Sequence, residues 1–224
     1  MVEICYNTFI VRRKRMASTI IHLAVAKELE RRRKDIKNQY DYYLGSIAPD
    51  LAKQIGMSKD ESHFIKNSYK ENVPNLKLFE YKYPNYQRIP YDLGYYVHLF
   101  TDKEWYTNYI DNVTQENSLR LLDGTIIAST KEEIQQLIYS DYTNLNVKII
   151  EAYDLDLSLF YEEFKVPETD IIELPAEKID ILINKMGIIL QNSTNEKTYS
   201  LDIESIKNFI NQTVDKLEKE LEII

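Results

Sequence analysis

Apolar positions in this chain recur mainly three and four residues apart, the spacing that gathers them on one face of an α-helix. The first clear case follows Ser18 and Thr19, either of which can cap a helix running through IIHLAVAKELERRRK, with Ile21, Val25 and Leu29 on one stripe. A second segment covers roughly 36–47. Gly45 and Pro49 are expected to break it, which leaves Asp50 at or just past a helix end. Residues 56–75 show little periodicity and read as irregular. Pro90 suits the first turn of a long helix, PYDLGYYVHLFTDKEWYTNYI. Residues 112–128 read as a surface loop with a short apolar stretch at 121–127. Thr130 and Glu133 form a capping box at the head of a helix that continues to about Tyr153. Pro167 and Pro175 then punctuate a connector, and two further helices are expected at about 176–192 and 202–222. The last carries Ile206, Phe209, Ile210, Val214 and Leu217 on one stripe, as a core-facing helix does. No internal repeat interrupts this order, so the expectation is an all-α, single-domain helical bundle over residues 16–224.

Composition narrows the picture. The chain has 224 residues, 44% of them hydrophobic and 29% charged, enough for one buried core and too charged for a membrane-embedded protein. Gly (5) and Pro (6) are scarce, which favours helices over a turn-rich β-sandwich. The net charge of -8 disfavours nucleic acid and anionic lipid surfaces as partners, although a bound metal can reverse the charge locally for a phosphate substrate. The single cysteine, Cys5, cannot form an internal disulfide, which fits a reducing compartment. In residues 1–15 a short, interrupted apolar stretch precedes Arg12, Arg13, Lys14 and Arg15, the reverse of the order in a secretory signal. That segment is expected to be a disordered arm or an over-long start, and no run is long enough to span a bilayer. A cytoplasmic location follows as the expectation.

The candidate chemistry sits in the first half of the chain. His98 and Asp102 are four residues apart on the long helix and therefore share a face, where an imidazole and a carboxylate can hold one zinc. Gly94 lies one turn earlier on that face, where its missing side chain would let another element approach closely. Taken alone, such a pair is more often a capped core histidine or a surface hydrogen bond than a metal site. His22 lies among Ile20, Ile21, Leu23, Ala24 and Val25, where an imidazole without a partner is costly. His63 sits in the polar segment DESHF, and Asp50 at its helix break could equally serve turn chemistry. Asp92, Glu104 and the tyrosines between 81 and 96 read as ordinary helix charge and helix packing.

The order of these motifs carries more than any one of them. HLAVAKE, YLGSIAPD, SHF and GYYVHLFTD together resemble the bacterial zinc-dependent phospholipase C-like family, related to the phospholipases C and the P1-type single-strand nucleases. The resemblance covers residues 16 to about 106. It implies an all-α fold of that type and a metal site of His22, Asp50, His63, His98 and Asp102. It also implies a zinc-activated water that attacks a phosphodiester or a phospholipid head group. Two departures limit the likeness. No histidine follows His98 and no N-terminal tryptophan is present, so the ligands for a three-zinc cluster are missing and one or two zinc ions are expected. Asp50, freer at its break than the helical Asp102, is the candidate for orienting or deprotonating the water. The alternatives are a metal-binding protein without catalysis and a single-strand nuclease, the latter disfavoured by charge. An HD-type phosphohydrolase is discounted because none of the three histidines is followed by Asp.

Overall fold

A computed structural model describes residues 17–222 apart from 67, 69–71 and 116. The expected N-terminal arm, 1–15, lies outside the described residues. The chain is predominantly helical, as expected, with one small sheet among the described residues. In order come α1 (Thr19–Arg32), α2 (Gln39–Ile47), a 3-10 turn (Ala48–Asp50), α3 (Leu51–Gln54), α4 (Lys59–Ser62) and α5 (Leu76–Lys82). They are followed by α6 (Pro90–Glu104), α7 (Ile110–Val113), α8 (Lys131–Tyr153), α9 (Ile179–Gln191) and α10 (Ile203–Glu222). No helix among the described residues is long and apolar enough to cross a membrane.

Helix α1 is the central strut. Ser18 caps it by accepting from the Ile21 N–H, and residues on all its sides are buried: Ile20, His22, Leu23, Val25 and Leu29 among them. The expected stripe thus widens to a helix buried on most of its surface as far as Leu29, with α2, α6, α8 and α10 packed around it. Tyr42 of α2 donates its hydroxyl to the Ala26 carbonyl, 3.1 Å away, and Arg32 reaches Asp215 and Glu218 of α10.

The tightest crossing is between α2 and α6, and it is made by two glycines. A Cβ on Gly94 would stand 2.0 Å from the Tyr42 carbonyl oxygen, and one on Gly45 would stand 1.9 Å from that of Tyr91. Each helix therefore rests its backbone in the other's missing side chain. Gly94 plays the close-approach role its position suggested. Gly45 does not break α2, contrary to expectation; it lies inside the helix, which runs on to Ile47 because the glycine is needed for packing and not for a turn. The actual change of direction comes at the 3-10 turn containing Pro49, whose last residue is Asp50.

Three other expectations change. Residues 112–128 are not a plain surface loop: β1 (Thr114–Gln115), β2 (Ser118–Arg120) and β3 (Ile126–Ala128) form an antiparallel sheet in that order, with Leu119 buried beneath it. The irregular stretch 56–75 contains the short helix α4, capped by Ser58. The long helix passes at Trp105 into a π-helical turn, Trp105–Tyr109, where the Trp105 ring packs on Tyr109 and Phe209. The capping box at Thr130 and Glu133 forms as read, with both reciprocal hydrogen bonds present.

Candidate metal centre

The α2–α6 contact delivers the first ligand. His98, fully buried on α6, directs Nδ1 at the Ser46 carbonyl oxygen of α2, 2.9 Å away. A carbonyl only accepts, so Nδ1 carries the proton and Nε2 presents a lone pair. His63 arrives from the turn after α4. Its Nδ1 is 2.9 Å from Ser62 Oγ, whose own proton is directed to the Pro49 carbonyl at 3.2 Å. His63 Nδ1 is therefore also a donor, and its Nε2 also presents a lone pair. The turn is held from both sides. Tyr95 of α6 donates to the Ser62 carbonyl at 2.5 Å, and Phe64 takes a left-handed backbone with φ of 52°. That conformation is uncommon for an aromatic residue and costs about 1 kcal/mol or more. Packing of the Phe64 ring on Phe79 and Tyr83 maintains it while His63 turns to the opposite side.

The two lone pairs meet. His63 Nε2 and His98 Nε2 are 3.4 Å apart, and Asp102 Oδ2 lies 3.8 and 3.7 Å from them. Asp50 Oδ1 is 3.8 Å from His63 Nε2. The facing atoms of His63, His98 and Asp102 have no proton between them and repel one another, whereas Asp50 Oδ1 is bonded to Lys59 Nζ. A tetrahedral zinc with ligands at 2.0–2.2 Å sets neighbouring ligand atoms about 3.4 Å apart, close to what these residues already show.

Protonation favours the same arrangement. Burial drives the imidazole of His63 well below its ordinary range, helped by the ammonium of Lys59 and by His98. Burial also lowers His98, to about 4, with His22 adding to the effect against the pull of Asp102 and Asp50. Both rings are neutral at pH 7, the form that binds metal. For Asp50, burial alone would raise the carboxyl, but Lys59 and the nearby imidazoles outweigh it and hold the group well below the usual carboxylate range.

His22 completes the cluster from α1. Its ring stacks on His98 with centroids 3.7 Å apart and planes 9° off parallel, and Nε2 faces Asp102 Oδ1 at 3.5 Å. That separation is too long for a hydrogen bond. Both ring nitrogens of His22 and Oδ1 of Asp102 are buried and have no hydrogen-bond partner among the described residues. Buried polar groups are nearly always paired, and orphans cost about 1–3 kcal/mol each. The donor set, N and O atoms with three imidazoles and two carboxylates, is one that zinc and other first-row divalent metals accept.

All five residues singled out from the sequence thus converge. Two overlapping groups have ligand atoms within 4.8 Å of one another: His22, Asp50 and His98, and His63, His98 and Asp102. They share His98, whose second nitrogen is taken by Ser46, so the geometry suits one ion first and a second only through His22 and a shared carboxylate. Asp92 and Glu104 stand elsewhere. Asp92 accepts from Thr169 and Asp170, and Glu104 pairs with Lys216 and Asn108. Of the tyrosines at 81–96, Tyr83, Tyr86, Tyr91, Tyr95 and Tyr96 are buried, so they form core and not a base-stacking platform; Tyr81 alone of that set is largely exposed.

Sequence reading missed the residues that orient the ligands. Ser62 adjoins His63, and Lys59 stands one helical turn before it, with the His63 N–H bonded to the Lys59 carbonyl. That spacing was the available signal for Lys59, whose Nζ lies 2.6 Å from Asp50 Oδ1. Beyond this ion pair opens a cavity of about 820 Å3, bordered by Asp50, Lys53, Lys59, Tyr139, Lys185 and Met186. No family model, curated protein or solved structure matches the chain.

Proposed function

We propose that the protein is a zinc-dependent phosphoesterase of the phospholipase C-like type, hydrolysing a phosphodiester or a phospholipid head group. The observation that carries the metal half of this reading is the pair of imidazole lone pairs 3.4 Å apart beside Asp102 Oδ2. The hydrolytic half is supported by the order of the four motifs and by the open cavity that reaches Asp50.

His63, His98 and Asp102 would hold the first ion and leave a position open for water, and His22 with a shared carboxylate would hold a second. When bound, zinc would supply an acidified water and neutralise charge on phosphoryl oxygens. The chain's own groups have distinct tasks. Ser46 and Ser62 fix the ring orientations of His98 and His63 through their Nδ1 protons, as outer partners of metal ligands do. Asp102 is enclosed and suits a fixed ligand, its side chain only 1% exposed. Asp50 is the carboxylate that faces both the histidines and the cavity, and it is placed to orient a nucleophile at that boundary.

A second reading, metal binding without catalysis, is favoured by the absence of any histidine beyond His98. One experiment separates them. Protein prepared without added zinc is expected to carry at least one equivalent by elemental analysis, and to turn over bis-p-nitrophenyl phosphate until a chelator is added. Asp50→Asn should abolish turnover. Metal without turnover of phosphodiesters, phospholipids or single-stranded DNA leaves only the binding protein, and failure to take up zinc when it is supplied in excess ends both.

A further inference from the structure

Lys59 brings a cation to a cluster that has no place for it as a ligand. Its Nζ is 2.6 Å from Asp50 Oδ1, the same oxygen that stands 3.8 Å from His63 Nε2. Only 17% of the lysine side chain and 15% of the aspartate side chain are exposed, so solvent screens the pair weakly. The short helix α4 fixes this placement, because Ser58 caps it and the Lys59 carbonyl accepts from His63. The backbones of Lys59 and His63 are thus held together.

Counted by their formal charges, Asp50, Asp102 and Lys59 leave the cluster with one net negative charge. A bound dication would turn this into one net positive charge and would repel an ammonium on the same carboxylate oxygen. The long, flexible lysine stem has somewhere to turn, since Lys59 also borders the 820 Å3 cavity, with Lys53 and Lys185 on its walls. An ammonium released beside a dication and facing a cavity is a binding group for an oxyanion that also reaches the metal.

We infer that Lys59 is the anion-binding residue of this centre: it balances Asp50 while no dication is present and holds a phosphoryl oxygen from the cavity side once one is. The inference rests on the metal reading above. It assigns the cavity next to Asp50 to phosphate-type oxyanions and makes Lys59 a competitor of the metal rather than a support for it.

Two titrations by calorimetry test this, zinc alone into metal-free protein and inorganic phosphate into zinc-loaded protein. Lys59→Met, which keeps the apolar stem, is expected to bind zinc about tenfold more tightly and phosphate about tenfold more weakly than the natural chain. Lys59→Gln keeps a hydrogen bond to Asp50 without the charge; it should show both shifts and serves if the methionine variant does not fold. Weaker zinc binding in these variants would make Lys59 a strut for Asp50 and overturn the inference, as would an unchanged phosphate affinity. Either result leaves the metal reading standing. Zinc uptake by neither variant nor the natural chain would remove both.

Discussion

Asp102 and Asp141 are both buried aspartates on long helices, and their surroundings differ completely. Asp141 of α8 accepts four hydrogen bonds from the segment leading into α10: the N–H groups of Tyr199, Ser200 and Leu201 and the Ser200 hydroxyl, at 2.6–2.9 Å. Its charge is answered entirely within the protein. Asp102 of α6 faces three histidines, and its Oδ1 has no hydrogen-bond partner among the described residues. A buried carboxylate surrounded by donors holds a fold together. One surrounded by lone pairs is stable only with a cation, and that contrast locates the candidate site more sharply than burial does.

The same substitution at the two positions should have opposite signs. At Asp141 every direction in which an asparagine could turn its amide places a donor against a backbone N–H. Asp141→Asn is expected to destabilise the fold by about 3 kcal/mol, read as a lower urea midpoint. Zinc affinity of the folded variant should be unchanged. A loss of zinc affinity there would mean that the two regions are coupled, and the contrast would fail.

At Asp102 the amide of asparagine would donate to the facing imidazole lone pairs and remove the uncompensated charge. Metal-free Asp102→Asn should therefore be more stable than the natural chain, by about 2 kcal/mol. Zinc should reverse the ranking. At a hundredfold excess over Kd it would stabilise the natural chain by about 2.7 kcal/mol and the variant hardly at all. Thermal melts with and without zinc decide it: a variant less stable than the natural protein without metal would show that Asp102 is already satisfied.

How much of this was legible in the sequence depends on what kind of contact fixes each feature. Helices α1, α6, α8 and α10 announce themselves, since period, caps and the Thr130 capping box are all local. Gly45 was misleading, because its role depends on a carbonyl of Tyr91 that lies far along the chain. Strands of two or three residues are too short to show alternation, so the sheet at 114–128 left no pattern. The five candidate ligands could be picked out by residue type and order. Their orienting partners could not, because the Ser46 and Pro49 carbonyls are acceptors that every residue carries. Asp141 gave no sign either, as its donors are mostly backbone N–H groups.

Asp92 lies between the two extremes and gives the smallest effect. It accepts from Thr169 Oγ1 at 2.5 Å and from the Asp170 N–H at 3.3 Å, half the support that Asp141 has. Burial raises its carboxyl to about 6 against those two hydrogen bonds, and the nearby charges of Asp170 and Glu168 add to the rise. The folded chain thus binds this proton more tightly than the unfolded chain, whose carboxyl titrates near the ordinary value of 3.8. Its contribution to stability is full below about pH 4 and is lost as pH rises to about 6. Its partners are the half-buried Thr169 and the exposed Asp170, so solvent close by screens the charge and the loss should be about 1 kcal/mol, less than the shift itself would give. The neutral histidines act in the opposite sense, since stability falls as pH drops below their ordinary value of 6.5. Subtracting the urea-derived stability of Asp92→Asn from that of the natural protein, point by point from pH 4 to 7, removes their common contribution. The difference should decline through this window and then level off; a flat difference would place Asp92 with Asp141, as a carboxylate whose charge the fold already accommodates.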